Sequence, residues 1–350
     1  MTFADKMDAF IAEFTKEHTL SGVIRVTLKD EIIYDRKVGM ADYEKNIPFT
    51  DNSMFTIYSF SKPFCAIGLM KLYDKGLVKL DAHPGKYVPE AREFDERVKI
   101  SQLLNHTSGL PDFEQDKKFS KEYTHGYAHE LRDQLRIIAS APTTYPQRFV
   151  PGTDNFYSNI NFIICALIIE NITGQKYADY MKSEVFEPLG MKTAFVDDID
   201  VQCENRVCGH EMIDGKIIPC KSTLHWLLGA GDIVASVDDL YCINKAIKNR
   251  TLLSDDAWTK VLTPSPINNM GLGCAVYEWH GKNIIRHNGA HKGFMSMHVQ
   301  IPSDDLDFLF LTNYGFNCCR NDLADAVHNA FYGNESVQKL GEMDKGYGGK

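Results

Sequence analysis

The chain has 350 residues, of which 44% are hydrophobic, and it carries a formal net charge of −9 at pH 7. This length is enough for one large domain or two modest ones with a sizeable core. The negative charge, which includes no run of like charges, argues against nucleic acid or an anionic membrane as the main partner. No uninterrupted apolar stretch reaches the roughly 18 residues that a membrane-spanning helix needs, so the sequence predicts no span.

The beginning of the chain predicts a helix followed by two strands. Five apolar residues fall on one helical face: Phe3, Met7, Phe10, Ile11 and Phe14. Charged residues at positions 5, 6 and 8 interrupt the apolar run of a signal peptide, so we expect a cytoplasmic protein, with a removed leader left open. Residues 22–28 and 32–38 are rich in β-branched residues and flank a polar turn, which predicts a pair of strands.

Ser59 and Lys62 form an S-x-x-K motif at the start of a predicted helix over residues 59–74. Positions i and i+3 share one helical face about one turn apart, so the serine hydroxyl can reach the lysine amine. Pro63 places the motif near the first helical turn, where backbone N–H groups lack helical partners and can face a substrate. The two side chains are therefore a candidate nucleophile and base.

A Y-S-N motif from Tyr157 to Asn159 precedes one of the clearest later helices, predicted at 159–172 and followed by another at 176–186. A free lysine has a pKa of about 10.4, so it is mostly charged at pH 7 and needs help to act as a base. A tyrosine beside it can share the proton. The alternative is that Tyr157 and Asn159 only end a loop and cap the helix.

The last third of the chain returns to a strand pattern. Strands are predicted at 273–279, 283–286, 294–301 and 306–311, before a closing helix at 322–331. A His-x-Gly motif, His287 to Gly289, follows the second of these strands, and a second one begins at His291. A glycine lets the backbone approach a ligand closely, so the N–H of Ala290 can join that of Ser59 in holding an oxyanion.

Strands near both ends with helices between them predict an α/β protein of the α+β type. We expect an antiparallel sheet flanked by helices, built from residues 1–75 and 215–332, with a mainly helical insertion over 76–214. Residues 333–350 are rich in glycine and charge, so we expect a disordered tail. A cleft between the two parts is a usual place for a site.

The nine cysteines are an odd number without a C-x-x-C motif, which fits reduced thiols. One group is close enough in sequence to be weighed as a zinc site: Cys203, Cys208, His210 and Cys220. Its spacing is irregular and lacks the close ligand pairs of such sites, so scattered thiols are favoured over zinc. We expect no metal and no cofactor.

Taken together, the three motifs resemble those of the serine β-lactamase and penicillin-binding-protein superfamily. Ser59-x-x-Lys62, Tyr157-x-Asn159 and His287-x-Gly289 occur in the family order, the last in place of the Lys-Thr-Gly of β-lactamases. Supporting stretches lie at 39–42, 103–110, 149–153, 187–191 and 293–294. The similarity covers about residues 20–330 and points to the branch of class C β-lactamases, D-alanyl-D-alanine carboxypeptidases, D-aminopeptidases and related esterases. The pair Gly293-Phe294 favours His287 over His291 as the match.

The resemblance implies a role for each motif residue. Ser59 would attack a carbonyl, Lys62 with Tyr157 would remove its proton, and Tyr157 would protonate the leaving group. Asn159 would orient Lys62 and the substrate, and the other substrate and oxyanion contacts would come from His287, Gly289 and Ala290. The sequence departs from the family pattern at Asp232, where relatives usually carry glycine, which puts the substrate fit there in doubt.

The substrate class expected from this resemblance is a small-molecule ester, amide or β-lactam, with small esters or short peptide-like amides favoured over β-lactams. His287 replaces a lysine that relatives use to hold a substrate carboxylate, and histidine is mostly neutral at pH 7. A non-catalytic acyl-binding sensor on the same fold and an interaction protein with incidental motifs are the rival hypotheses. The oligomeric state stays open.

Overall fold

The computed structural model describes residues 1–112, 146–197, 201, 203–220, 227–314, 320–333 and 339–340. The helices are α1 (Phe3–Phe14), α2 (Ser61–Asp74), α3 (Ile100–Leu104), α4 (Asn159–Thr173), α5 (Tyr177–Met181), α6 (Glu187–Leu189), α7 (Val237–Asn249), α8 (Asp255–Leu262) and α9 (Arg320–Tyr332). Short 3₁₀ turns occur at Tyr58–Phe60, Pro84–Lys86 and Pro89–Ala91, and Lys182–Phe186 is π-helical.

The strands are β1 (Gly22–Leu28), β2 (Glu31–Val38), β3 (Met40–Asp42), β4 (Ile47–Pro48), β5 (Phe55–Thr56), β6 (Phe195–Val196), β7 (Gly209–Ile213), β8 (Lys216–Cys220), β9 (Ile233–Ala235), β10 (Ala275–Trp279), β11 (Lys282–His291), β12 (Phe294–Ile301) and β13 (Leu306–Thr312). Six of them form one antiparallel sheet in the order β10-β11-β12-β13-β1-β2. Strands from both ends of the sequence therefore meet in one sheet.

The pairing of β1 with β13 closes this sheet, with Val23 opposite Leu311 and Val26 opposite Phe308. Strand β1 is buried on both faces because helices cover both sides of the sheet. On one side, α1 and α9 pack over a core that includes Ile24. On the other, the core that includes Val23 continues into α2 and α4.

Helices α2 and α4 pack closely and bring the first two motifs together. Both are buried nearly all round, as expected for helices that lie within the core of a large domain. The Tyr180 hydroxyl donates to the carbonyl of Gly68 at 3.0 Å, which ties α5 to the middle of α2. The N-terminal ends of α2 and α4 therefore face the same region.

Two predicted boundaries differ from the structure. Ser59 lies in the 3₁₀ turn Tyr58–Phe60, directly before α2, rather than in the helix itself. The strand predicted to end at Arg286 continues through His287 to His291, because β11 pairs with β12 along its whole second half. The predicted domain boundaries stay predictions, and the predicted tail lies outside the described residues except for positions 333, 339 and 340. Across the described ranges, no helix has both the length and the apolar content to cross a membrane.

Candidate active site

A strained turn presents Ser59 to solvent. Tyr58, directly before it, has a left-handed backbone with φ of 48°, which is uncommon for a bulky residue and is often found at functional sites. The Tyr58 side chain is buried, and its ring packs against those of His291 and Phe294. Residues 53–58 and 60 are buried whereas Ser59 is partly exposed, so the turn exposes this one side chain.

The amine of Lys62 is fully buried and makes three hydrogen bonds. Nζ lies 3.0 Å from Ser59 Oγ, 2.8 Å from Asn159 Oδ1 and 2.7 Å from the carbonyl oxygen of Ala230. An ammonium has three N–H donors, so it can serve all three of these acceptors. The structure thus joins the predicted nucleophile to the predicted base and fixes the direction of the lysine.

The ring of Tyr157 completes the surroundings of this amine. Lys62 Nζ lies 4.8 Å from the centre of the Tyr157 ring, and the partly exposed tyrosine stacks on His106 with 4.3 Å between ring centres. Burial, and to a lesser extent the positive charge of Lys62, lowers the pKa of His106 well below its ordinary value. His106 is therefore neutral at pH 7. The Tyr157 ring therefore lies close to both the lysine amine and a neutral imidazole.

Asn159 is the first residue of α4 and does not serve as its cap. The N-cap position belongs to Ser158, and the Asn159 side chain instead accepts from Lys62. Its backbone N–H donates to Asp112 Oδ2 at 2.6 Å, so a buried carboxylate holds the start of the helix. The capping interpretation is wrong, because the side chain is used for Lys62.

Three residues around this cluster were not singled out from the sequence: His106, Asp112 and Ala230. His106 Nδ1 lies 3.3 Å from the backbone N–H nitrogen of Ser158 and 3.2 Å from Asn161 Nδ2, which supports the loop before α4. His106 lies in the supporting stretch 103–110, and Asp112 follows it by two residues, so that stretch was the available signal. Ala230 acts through its carbonyl oxygen, for which residue type gives no signal.

His287, Gly289 and Ala290 lie in β11, across from the Ser59 turn. A Cβ added at Gly289 would overlap the carbonyl oxygen of Ile57, so only glycine allows the strand to pass this close. Ser296 Oγ on β12 donates to the same carbonyl at 2.7 Å and fixes this contact. Ala290 is partly exposed, as is Ser59.

His287 is buried, with Nδ1 lying 2.7 Å from the Asn288 carbonyl oxygen. Burial lowers its pKa to about 3, assisted by the charge of Lys62, so the imidazole is neutral at pH 7. The structure thus gives this position no positive charge under ordinary conditions. A substrate carboxylate gains no ion pair from it.

A different group from the one weighed in the sequence brings possible metal ligands together. Among the described residues, ligand atoms of Asp42, Cys208 and His210 lie within 4.8 Å of one another, without Cys203 or Cys220. Asp42 Oδ1 already accepts from two backbone N–H groups, and Oδ2 pairs with the Lys45 amine at 3.1 Å. Burial also raises the pKa of Cys208, which favours the thiol over the thiolate that binds metals. The absence of a metal stays a prediction.

The chain is similar in sequence and in fold to known proteins. The family model described as Beta-lactamase matches residues 7–330. The chain belongs to the β-lactamase family. A penicillin-binding protein of Bacillus subtilis is 26% identical over 320 residues, covering 85% of this chain and 69% of its own length. A D-aminopeptidase of Gluconobacter oxydans is 25% identical over 320 residues, covering 89% of this chain.

This β-lactamase-family chain spans 59% of the length of that D-aminopeptidase. A solved structure of the D-amino acid amidase from Ochrobactrum anthropi is similar in fold, with a TM-score of 0.79 at 23% identity, covering 95% of this chain and 98% of the amidase. The predicted family, fold class and general enzyme class, a serine hydrolase, are confirmed.

Proposed function

We propose that this protein hydrolyses short peptide-like amides or small esters through a covalent acyl-enzyme on Ser59. The observation that carries the proposal is the buried Lys62 amine 3.0 Å from Ser59 Oγ, in a turn that exposes this serine. A nucleophile within hydrogen-bond reach of a base that a third group orients is the arrangement for covalent catalysis. Here Asn159 and the Ala230 carbonyl orient the base.

The first step of the proposed reaction is attack by Ser59 on the substrate carbonyl. The Ser59 proton passes to a neutral Lys62, assisted by Tyr157, while the new C–O bond forms. The backbone N–H groups of Ser59 and Ala290 receive the negative charge on the carbonyl oxygen. The contact between Gly289 and Ile57 supports this role, because it sets the separation of the two chain segments that carry these groups.

The second step releases the leaving group. Tyr157 donates a proton to the departing nitrogen or oxygen and receives one in turn from Lys62. The leaving group then departs, and the acyl group stays bound to Ser59. Water then attacks the acyl carbon by the same route in reverse, which restores the serine. All of the protein groups needed for acid and base work in this cycle border the opening near Ser59 or lie directly behind it.

Amides of D-amino acids are the first substrate class to consider. Support comes from the relatives named D-aminopeptidase and the amidase of similar fold. The neutral His287 favours substrates that bear no carboxylate, since a charge-assisted hydrogen bond is roughly twice as strong as a neutral one. The loss of about 1 to 2 kcal/mol on such a contact corresponds to around tenfold weaker recognition of β-lactams and D-alanyl peptides.

A labelling experiment tests the nucleophile. Wild-type protein, Ser59→Ala and Ser61→Ala are treated with a fluorophosphonate probe, and bound probe is measured by intact mass. Ser61 is the matched control, because its buried hydroxyl accepts from the Ile233 backbone N–H at 3.0 Å and faces away from the opening. We expect label on wild type and on Ser61→Ala only. Equal labelling of Ser59→Ala would refute the assignment.

A substrate panel tests the reaction class. The ratio kcat/KM is compared for D-phenylalanine amide, L-phenylalanine amide, p-nitrophenyl butyrate and nitrocefin. We expect the amides of one configuration or the ester to exceed nitrocefin. Efficient turnover of nitrocefin above the others would favour a β-lactamase instead, and a stable acyl adduct without turnover would favour the acyl-binding sensor.

The cellular compartment in which the protein acts is inferred from its cysteine thiols. Seven described cysteines are free: Cys65, Cys165, Cys203, Cys208, Cys220, Cys242 and Cys274. Free thiols fit a reducing compartment such as the cytoplasm, which is the location we propose. Measurement of free thiols on protein isolated under alkylating conditions tests it, since disulfides would argue for an oxidising compartment.

A further inference from the structure

The turn that carries the Ala230 carbonyl is tightly built. The N–H groups of Ala230 and Gly231 donate to the carbonyl of Leu227 at 2.7 and 3.0 Å. Gly229 has a φ of 73°, and a Cβ there would lie 2.9 Å from Ala166 Cβ on α4. This turn therefore has little freedom, and its position decides where the Ala230 carbonyl meets Lys62.

Asp232 lies at the end of this turn and is fully buried. Its Oδ2 accepts from the N–H of Gly229 at 2.8 Å, so the side chain closes the turn back onto its own start. Its Oδ1 is buried without a hydrogen-bond partner among the described residues. A buried carboxylate oxygen left unpaired is costly and calls for an explanation beyond closing the turn.

We propose that Asp232 is a positioning residue for Lys62: it holds the 229–232 turn so that the Ala230 carbonyl meets the amine, and its negative charge favours the ammonium form of Lys62. This inference rests on the proposed function. Because Lys62 accepts the Ser59 proton only when it is neutral, an ionised Asp232 moves the active form of the enzyme to higher pH.

The groups that face Asp232 come from three parts of the fold. They are Lys62 and Cys65 on α2, Tyr177 on α5, and Asp197 after β6, which is ion-paired with Arg206. Burial raises the pKa of Cys65 to about 12 and that of Tyr177 well above its ordinary value, so both are neutral near pH 7. Asp197 stays paired with its arginine.

The pKa of Asp232 lies in the range that such a role requires. Burial raises the pKa of Asp232 to about 7, whereas the charge of Lys62 acts in the opposite direction. The histidines near Lys62 titrate far lower, because burial holds the pKa of His287 at about 3 and that of His106 well below its ordinary value. Within the described part of this cluster, Asp232 is thus the group that changes charge near neutral pH.

The test compares pH profiles of kcat/KM for p-nitrophenyl butyrate, a substrate without an ionisable group. Wild type, Asp232→Asn and Asp232→Gly are measured from about pH 5 to about pH 10. We expect the acid limb of Asp232→Asn to move to lower pH by about one unit, because a nearby charge that favoured the ammonium has been removed. Asp232→Gly should show the same shift together with a lower maximum, since the turn also loses its closing hydrogen bond.

Asp307→Asn is the matched control. Burial also raises the pKa of Asp307 to about 7, but its charged neighbours are Asp305, Lys248 and Asp30, which lie outside the catalytic cluster. The acid limb of the Asp307→Asn pH profile should coincide with that of wild type. A merely structural role for Asp232 would lower kcat/KM at every pH and leave the limb in place.

Two outcomes overturn the inference, and only the second also overturns the proposed function. If wild type turns over the ester and Asp232→Asn has the same acid limb, Asp232 does not act on Lys62. Where Asp232→Asn fails to fold, Asp232→Gly, which leaves no polar side chain to bury, decides the same question. A wild-type protein that neither hydrolyses the ester nor takes the fluorophosphonate at Ser59 overturns both proposals together.

Discussion

Substitution of Gly289 by alanine tests whether β11 must lie against the turn that presents Ser59. The added Cβ would overlap the Ile57 carbonyl oxygen and lie 2.6 Å from Ser296 Oγ, below the 3.0 Å that real Cβ contacts respect. The clash with Ile57 involves its backbone carbonyl, so no side-chain rotation can relieve it. The strand must therefore move by roughly 1 Å, and a displacement of that size at a catalytic centre costs about 100-fold in rate.

The assay is kcat/KM for p-nitrophenyl butyrate together with the free energy of unfolding in urea. We expect Gly289→Ala to lose about 100-fold in kcat/KM and to lose about 1 to 3 kcal/mol of stability from overpacking. Gly68→Ala is the control in the same core, because its Cβ would come closest to the movable Met181 Sδ, at 3.0 Å, and would meet only side-chain atoms. A Gly289→Ala protein with wild-type kcat/KM would refute the claim that this contact sets the oxyanion groups.

Three further expectations follow from the same cluster. Asn159→Ala removes one acceptor of Lys62, at 2.8 Å, and should lower kcat/KM by about ten- to a hundredfold through roughly 1.5 to 3 kcal/mol, with the fold intact by circular dichroism. Folded Asp232 keeps a proton that the unfolded chain releases, so its own contribution to stability should fall by at most about 4 kcal/mol as pH rises from about 4 to about 7; in urea titrations Asp232→Asn should gain stability relative to wild type over that range. Chelation with EDTA should leave activity unchanged and elemental analysis should find no stoichiometric zinc, because Asp42 is already paired with Lys45.

Local spacing explains the parts of the site that the sequence predicted. Ser59 and Lys62 are one helical turn apart, so their contact depends on few residues and survives the change from α-helix to 3₁₀ turn at Ser59. The sheet was predictable for a similar reason, since short apolar-rich runs next to polar turns mark β1, β2, β12 and β13. Each of these signals is contained within a short stretch of chain.

The contacts that orient Lys62 were harder to predict because they join distant parts of the chain. Asn159 lies 97 residues away in sequence, and the Ala230 carbonyl lies 168 residues away. The left-handed backbone of Tyr58 has no local signal, because it is enforced by packing against β11 and β12. The end of β11 was missed since pairing with β12, not residue type, carries the strand through His287 to His291.

The surroundings of Lys62 contain two opposed influences on its charge. Three acceptors, the face of Tyr157 at 4.8 Å and the carboxylate of Asp232 favour the ammonium form. Full burial beside two neutral histidines favours the amine, because no water solvates the charge. A lysine that only anchored the fold would need the first influence alone. The second influence acts on a buried amine in contact with Ser59, and it supports the proposed role of Lys62 as proton acceptor.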